Sequence, residues 1–300
     1  MSRAKSLVRL LKRMATDGPG VAREVFPPMR PSALVIGAQK SGTTALYRYL
    51  GRHPGVAPAR AKELDFFQCD SRYRRGLDYY HAHFPRLTPR NRHKKTFDVT
   101  PGYMNGAAKG APRIHRYNPD LLLIAVLRDP VARAFSGWQH YRRNCRTRAG
   151  WFQRWQKRCN EKLPEDFFAP RPRPFGEDFE MDMRDEIACL EQDRVIEMPI
   201  LRLGMYAEHL GHYLRRFPRE QLLVLQTETM KADTVAALRR IESFVGLQPH
   251  DWPPEEVKPE SVGGYKDPIP QAARDLLRDF YRRQNRALCD LLDMTFSWAN

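Results

Sequence analysis

The segment Gly37-Ala38-Gln39-Lys40-Ser41-Gly42-Thr43-Thr44 constrains this chain more than any other. The apolar run Ala33–Gly37 leads into it, and Ala45, Leu46, Tyr49 and Leu50 follow at helical spacing. A strand that turns through glycine into a helix aims backbone N–H groups and the positive helix end at one anion. The two glycines keep the spacing of the phosphate loop G-x-x-x-x-G-K-[ST], with Thr44 as the closing hydroxyl. The lysine is displaced. A triphosphatase carries it directly after the second glycine, where this chain has Thr43, whereas Lys40 lies inside the loop. From there its ammonium reaches the first phosphate and the group attached to it. That suits group transfer from a nucleotide with a single 5′-phosphate.

Other apolar runs, Leu121–Leu127, Leu222–Leu225 and the shorter Thr96–Val99, read as buried parallel strands. Helical spacing recurs between and after them, at Tyr206, Leu210, Tyr213, Leu214 and Phe217 and at Leu238, Ile241, Phe244 and Val245. Alternating strands and helices predict an α/β fold: a single P-loop-like domain, a central parallel sheet with helices on both faces. The domain is expected over residues 32–300, after a basic extension over 1–31 that is helical near its start. Within the domain, residues 142–178 are rich in Arg, Pro and aromatic side chains and lack a period. They read as a long basic insertion with short helices, suited to an acceptor.

Fifty-one Lys and Arg against 35 Asp and Glu give a net charge of +16. Such a surplus favours polyanionic partners without choosing among them. Nucleic acid is not expected, because no RNP, zinc-finger or basic-heptad motif accompanies the charge. No apolar run reaches the roughly eighteen residues of a membrane span. Peripheral membrane contact is open only to the N-terminal helix, with Leu7, Leu10, Leu11 and Met14 on one face. The opening MSRAKSLVRLLKRM lacks the apolar core of a secretion signal, so a cytoplasmic setting is expected. Five scattered cysteines without a C-x-x-C pair argue against zinc or a disulfide scaffold. They leave room for one bridge, for instance Cys145 to Cys159. His81 and His83 have no partner cluster, and no metal is expected.

A second motif, LLLIAVLRDPVARAFSGWQHYRR, runs from a strand into a helix. Asp129 suits the N-cap and Pro130 the first helical position. Arg128 ends the strand, where ligands of open α/β sheets collect. Ser136 and His140 follow at i, i+4 on one helical face.

On these motifs the chain resembles the sulfotransferases that use 3′-phosphoadenosine 5′-phosphosulfate (PAPS), within them the glycosaminoglycan-modifying branch. The likeness covers residues 32 to 298 and is poorest over 142–178. GAQKSGTTALYRYL is similar to the family's 5′-phosphosulfate loop. This implies that Lys40 stabilises the bridging oxygen while Ser41, Gly42, Thr43 and Thr44 hold the donor. The second motif is similar to the family's 3′-phosphate segment, implying that role for Arg128 and Ser136. AKELDFF resembles the K-E-x-x-F-F segment and implies Glu63 as the acceptor's base; some members have histidine where this chain has Asp65. SGWQHY is similar to heparan sulfate N-sulfotransferase domains and implies that His140 sits at the acceptor. FDVTPGYM resembles E-K-S/T-P-x-Y, with Asp98 for the glutamate and Val99 for the lysine, so one acceptor-site charge is lost. Gly263-Gly264-Tyr265-Lys266 falls where a loop closes over the nucleotide, implying a contact from Lys266.

The resemblance therefore implies in-line sulfuryl transfer from PAPS, leaving PAP, to a hydroxyl or amine of an anionic carbohydrate, without metal. The same site would serve a small-molecule or lipid-linked hydroxyl. A P-loop kinase or ATPase is the alternative of another class. It would want lysine in place of Thr43 and a strand-end aspartate, which Asp129 could mimic.

Overall fold

The computed structural model describes residues 26–159, 167–258 and 268–299. The expected N-terminal helix and Lys266 lie outside the described residues, as does part of the insertion. Four parallel strands form the central sheet: β1 (Ala33–Gly37), β2 (Phe97–Val99), β3 (Leu122–Leu127) and β6 (Leu222–Gln226), in the order β2-β1-β3-β6. Strand β1 is hydrogen-bonded on both sides, with Ala33 opposite both Phe97 and Leu122.

Alternation along the strands separates two cores, because successive side chains point to opposite faces. Leu34 and Ile36 join Leu123, Ala125 and Leu127 on one face. Helices α4 (Gly102–Asn105), α5 (Ala107–Tyr117) and α9 (Tyr206–Leu214) supply Tyr103, Ile114, Leu210 and Tyr213 to it. Ala33 and Val35 join Ile124, Val126 and Leu225 on the other face. There α1 (Thr43–Arg52) and α11 (Thr234–Val245) contribute Leu46, Leu50, Leu238 and Ile241. A continuously apolar strand is the consequence of burying both faces.

The remaining layer forms a third core around α6 (Pro130–Thr147), α8 (Phe179–Leu190) and α12 (Gln271–Leu292), with Trp138, Met183, Ile200 and Leu277 inside. The expected N-cap is present, Asp129 Oδ1 accepting from Val131 N at 2.9 Å. Much of the insertion is helical: α6 runs through its first six residues to Thr147, and α7 (Trp151–Cys159) follows at once. Beyond them β4 (Phe168–Ala169) and β5 (Val195–Ile196) make a separate parallel pair. Two-residue strands are too short to show a period, so they left no sequence signal.

The illustrative bridge Cys145–Cys159 is replaced. Cys159 is bonded to Cys69, while Cys145 is free and lies against Met198 Sδ. The partners are 90 residues apart, and only the docking of α7 against α2 (Asp70–Tyr73) joins them. Spacing along the chain carries no information about such a contact.

Gly37 sits where β1 meets the glycine loop, and an added Cβ would stand 2.6 Å from Met104 Cβ. A Cβ cannot rotate away, so the backbone itself must yield. Gly37→Ala is expected to cost about 1–3 kcal/mol of stability by overpacking. Adding Met104→Ala should restore little of it, because alanine keeps the Cβ that the new methyl meets. Denaturant midpoints of the two variants check this.

Candidate active site

Three strands of the central sheet deliver candidate site segments at their carboxyl ends, where open α/β sheets bind ligands. Strand β1 leads into the Lys40 loop, and Ala38 N donates to Val126 O of β3 at 2.7 Å. Strand β3 leads into Arg128, whose Nη1 donates to Lys40 O at 3.1 Å. Strand β6 leads into Thr227, whose hydroxyl lies 2.9 Å from both Ser41 O and Leu127 O. Tyr206 OH donates to Arg128 O at 2.9 Å from below. Loop, strand end and arginine are thereby fixed to one another.

The loop adopts the expected geometry. Gly42 has φ 88° and precedes α1, which has no side-chain cap. The first N–H groups of such a helix have no partner inside it and are available to an anion. Ser41 and Thr43 are buried, while Lys40, Gly42 and Thr44 are half-buried. Lys40 itself has φ 70°, a left-handed conformation that side chains rarely adopt. Strain of this kind concentrates at working sites.

Glu63 comes from the segment between α1 and α2. Its N–H donates to Val99 O at the end of β2, and Leu64 N donates to Thr100 Oγ1 at 3.0 Å. Arg72 donates to the carbonyls of Glu63 and Leu64. Glu63 has φ 60° and Asp65 φ 47°, so this turn is left-handed twice. The Glu63 side chain is exposed. Asp65 faces inward, holding Gln68 Nε2 at 2.7 Å and pairing with Arg72 at 3.5 Å. Its carboxylate shapes the turn.

The charges of these segments meet at Lys40. Burial lowers its pKa to about 8, with Arg143, Arg128 and Lys62 adding repulsion and Glu63 alone opposing. His140, on α6, is lowered to about 4 by burial and by the charges of Lys40 and Arg143. Asn144 Nδ2 lies 3.1 Å from its Nε2, a contact suited to a neutral ring, and its buried Nδ1 has no hydrogen-bond partner among the described residues. Lys40, Glu63, His140 and Arg128 are thus one electrostatic group. Ser136 is half-buried on the same helix as His140, four residues earlier.

Two positions in the FDVTPGYM segment take a structural part. Asp98 is fully buried and accepts from Tyr80, Tyr103 and Thr100 hydroxyls at 2.9, 2.6 and 2.6 Å. Burial raises its pKa to about 6 although the three hydroxyls oppose it. Val99, where the family has lysine, is packed in the sheet core.

Sequence reasoning passed over Lys62, and it covered Arg143 only within the basic stretch 142–178. Lys62 Nζ lies 2.6 Å from Thr44 Oγ1 and 2.8 Å from Glu63 Oε1. Its place beside Glu63 in the K-E pair was the available signal, but nothing in the sequence put it against Thr44.

Comparisons with known proteins agree with this geometry. A family model described as a sulfotransferase domain matches residues 30–261. The membrane-associated sulfotransferase kil1 of Dictyostelium discoideum is 27% identical, over 90% of this chain and 67% of its own length. Mouse heparan sulfate glucosamine 3-O-sulfotransferase 3B1 is 31% identical, over 89% of this chain and 65% of its own. The crystal structure of a sulfotransferase from Alicyclobacillus acidocaldarius superposes with a TM-score of 0.67 at 24% identity, covering 91% of this chain and all of that one. With its domain model matched across most of the described sheet and site, the chain belongs to the sulfotransferase family and is a transferase, which disfavours the kinase or ATPase alternative.

Proposed function

We propose that the enzyme transfers the sulfuryl group of PAPS to a hydroxyl or amine of an anionic carbohydrate, releasing PAP. The set of charges around Lys40 carries this reading. Arg128 flanks it on the side of β3, and Glu63 and Lys62 on the side of β2. A donor with a 5′-phosphosulfate and a 3′-phosphate matches such a distribution, whereas a triphosphate chain would want lysine at Thr43.

In this mechanism Glu63 takes the proton of the acceptor hydroxyl or amine. The acceptor atom attacks sulfur in line as the bond from sulfur to the bridging oxygen breaks. The charge left on the 5′-phosphate falls to Lys40 and the helix N-terminus. Ser136 and Arg128 would hold the 3′-phosphate. His140, neutral at ordinary pH, can bond the acceptor without bringing charge. The exposed Arg143 and Arg146, with Trp151 beyond them, offer an anionic polymer both charge and a flat surface. Relatives named for heparan sulfate support a glycosaminoglycan acceptor. On location, a cytoplasmic setting would leave all five cysteines as thiols. The Cys69–Cys159 bridge is of a kind that persists in oxidising compartments. A count of three reactive thiols, not five, in protein from its native compartment would favour the latter.

The first test compares melting with 3′,5′-ADP, 5′-AMP and ATP–magnesium. A ligand at one hundred times its Kd adds about 2.7 kcal/mol to the folded state. Stabilisation by 3′,5′-ADP above the others is expected, and stabilisation by ATP–magnesium alone would sink the reading. Arg128→Ala should weaken 3′,5′-ADP far more than 5′-AMP. Glu63→Gln should cut turnover to a small residual rate while 3′,5′-ADP still binds; loss of binding instead would make Glu63 structural.

The pH profile follows from Lys40. Its charged form is the useful one and predominates below about 8 in the free enzyme. The value of kcat/KM for PAPS should therefore fall as pH rises through about 8. A bound anion favours the ammonium, so the limb in kcat should lie higher. Lys40→Arg should flatten the profile at whatever rate it retains. No limb near 6.5 is expected from His140, and finding one that His140→Ala removes would overturn its neutral state.

A further inference from the structure

The Glu63 carboxylate is exposed on a rigid turn, and what aims it is a question that the family likeness leaves open. The backbone at Glu63 is fixed at both ends by Val99 O and Arg72. Its side chain is 56% exposed, so the backbone alone leaves the carboxylate several rotamers. Among the described residues one group bonds that carboxylate, the ammonium of Lys62 at 2.8 Å. The same ammonium lies 2.6 Å from Thr44 Oγ1 on the phosphate loop. Lys62 is only 23% exposed, which makes it the better-ordered member of the pair.

We infer that Lys62 is a positioning residue for the transfer reaction, tying the acceptor's base to the donor's loop through Glu63 and Thr44. The inference rests on the sulfuryl-transfer reading of the site. An ammonium has three donors, and two are used here. Lysine suits the position because its compact head can serve two acceptors on different loops, whereas a planar guanidinium favours one bidentate partner. An exposed ion pair contributes little to stability. Its consequence is geometric: base and leaving group belong to separate segments, and a misplacement of about 1 Å between them can cost on the order of a hundredfold in rate.

The test uses the full chain, 3′,5′-ADP as the binding probe, and PAPS with heparan sulfate chains as the turnover assay. Lys62→Met should lower kcat by about a hundredfold. The Kd of 3′,5′-ADP and the melting temperature should stay close to wild type. Lys62→Arg, which keeps the charge and reaches both loops less well, should recover part of the rate. In a Glu63→Gln background Lys62→Met should cost almost nothing more, because residues that act as one unit are not additive. Full additivity, or a loss of 3′,5′-ADP affinity as large as the loss of rate, would overturn the inference and make Lys62 a donor-binding group. Failure of the wild-type protein to bind 3′,5′-ADP would instead remove the sulfuryl-transfer reading on which it stands.

Discussion

Like charges converge on one loop, and the rest of the structure exists to hold them there. Lys40 is half-buried with Arg128, Arg143 and Lys62 around it and Glu63 opposing them. Left to itself such a cluster would disperse into water. It persists because each member is anchored through backbone that cannot move cheaply. Arg128 follows a strand buried along almost its whole length, and Lys40 follows one bonded on both sides. An anion relieves the repulsion, which favours binding of a negatively charged donor.

The anchoring extends below the loop. Thr227 stitches β6 to β3 and to the loop with a single hydroxyl, and Tyr206 holds the carbonyl of Arg128. On the other side, Asp98 gathers two tyrosines and a threonine in the core beneath the Glu63 turn. A buried carboxylate is costly unless hydrogen-bonded, and here three hydroxyls offset part of that cost. Thr100 is shared: its hydroxyl donates to Asp98 and accepts from Leu64 N. The turn carrying Glu63 is thus supported from the core, and its left-handed residues Glu63 and Asp65 are held in place by the same bonds.

The insertion is tied to the same region. Cys159 at the end of α7 is bonded to Cys69, six residues after Glu63. Lys109 bridges Asp70 and Cys159 O at 3.0 Å each, and Arg113 holds the other oxygen of Asp70 at 2.7 Å. The charged face proposed to meet the acceptor therefore stands on the segment that carries Glu63. Trp151 packs against Tyr141 and His140, joining α7 to the helix of Ser136.

The sequence by itself determined the sheet and the glycine loop between strand and helix. Parallel strands buried on two faces must be apolar throughout, and a glycine loop between strand and helix has few uses. Asp129 and Pro130 announced the start of α6 because capping is local chemistry. The tertiary structure decided what depends on distance between segments: that Lys62 spans Glu63 and Thr44, that Cys69 meets Cys159, and that His140 is buried near the charges of Lys40 and Arg143. It also turned Asp98 and Val99 into core. These features arise when burial and like charge bring together residues tens of positions apart, and no local periodicity records where such residues meet.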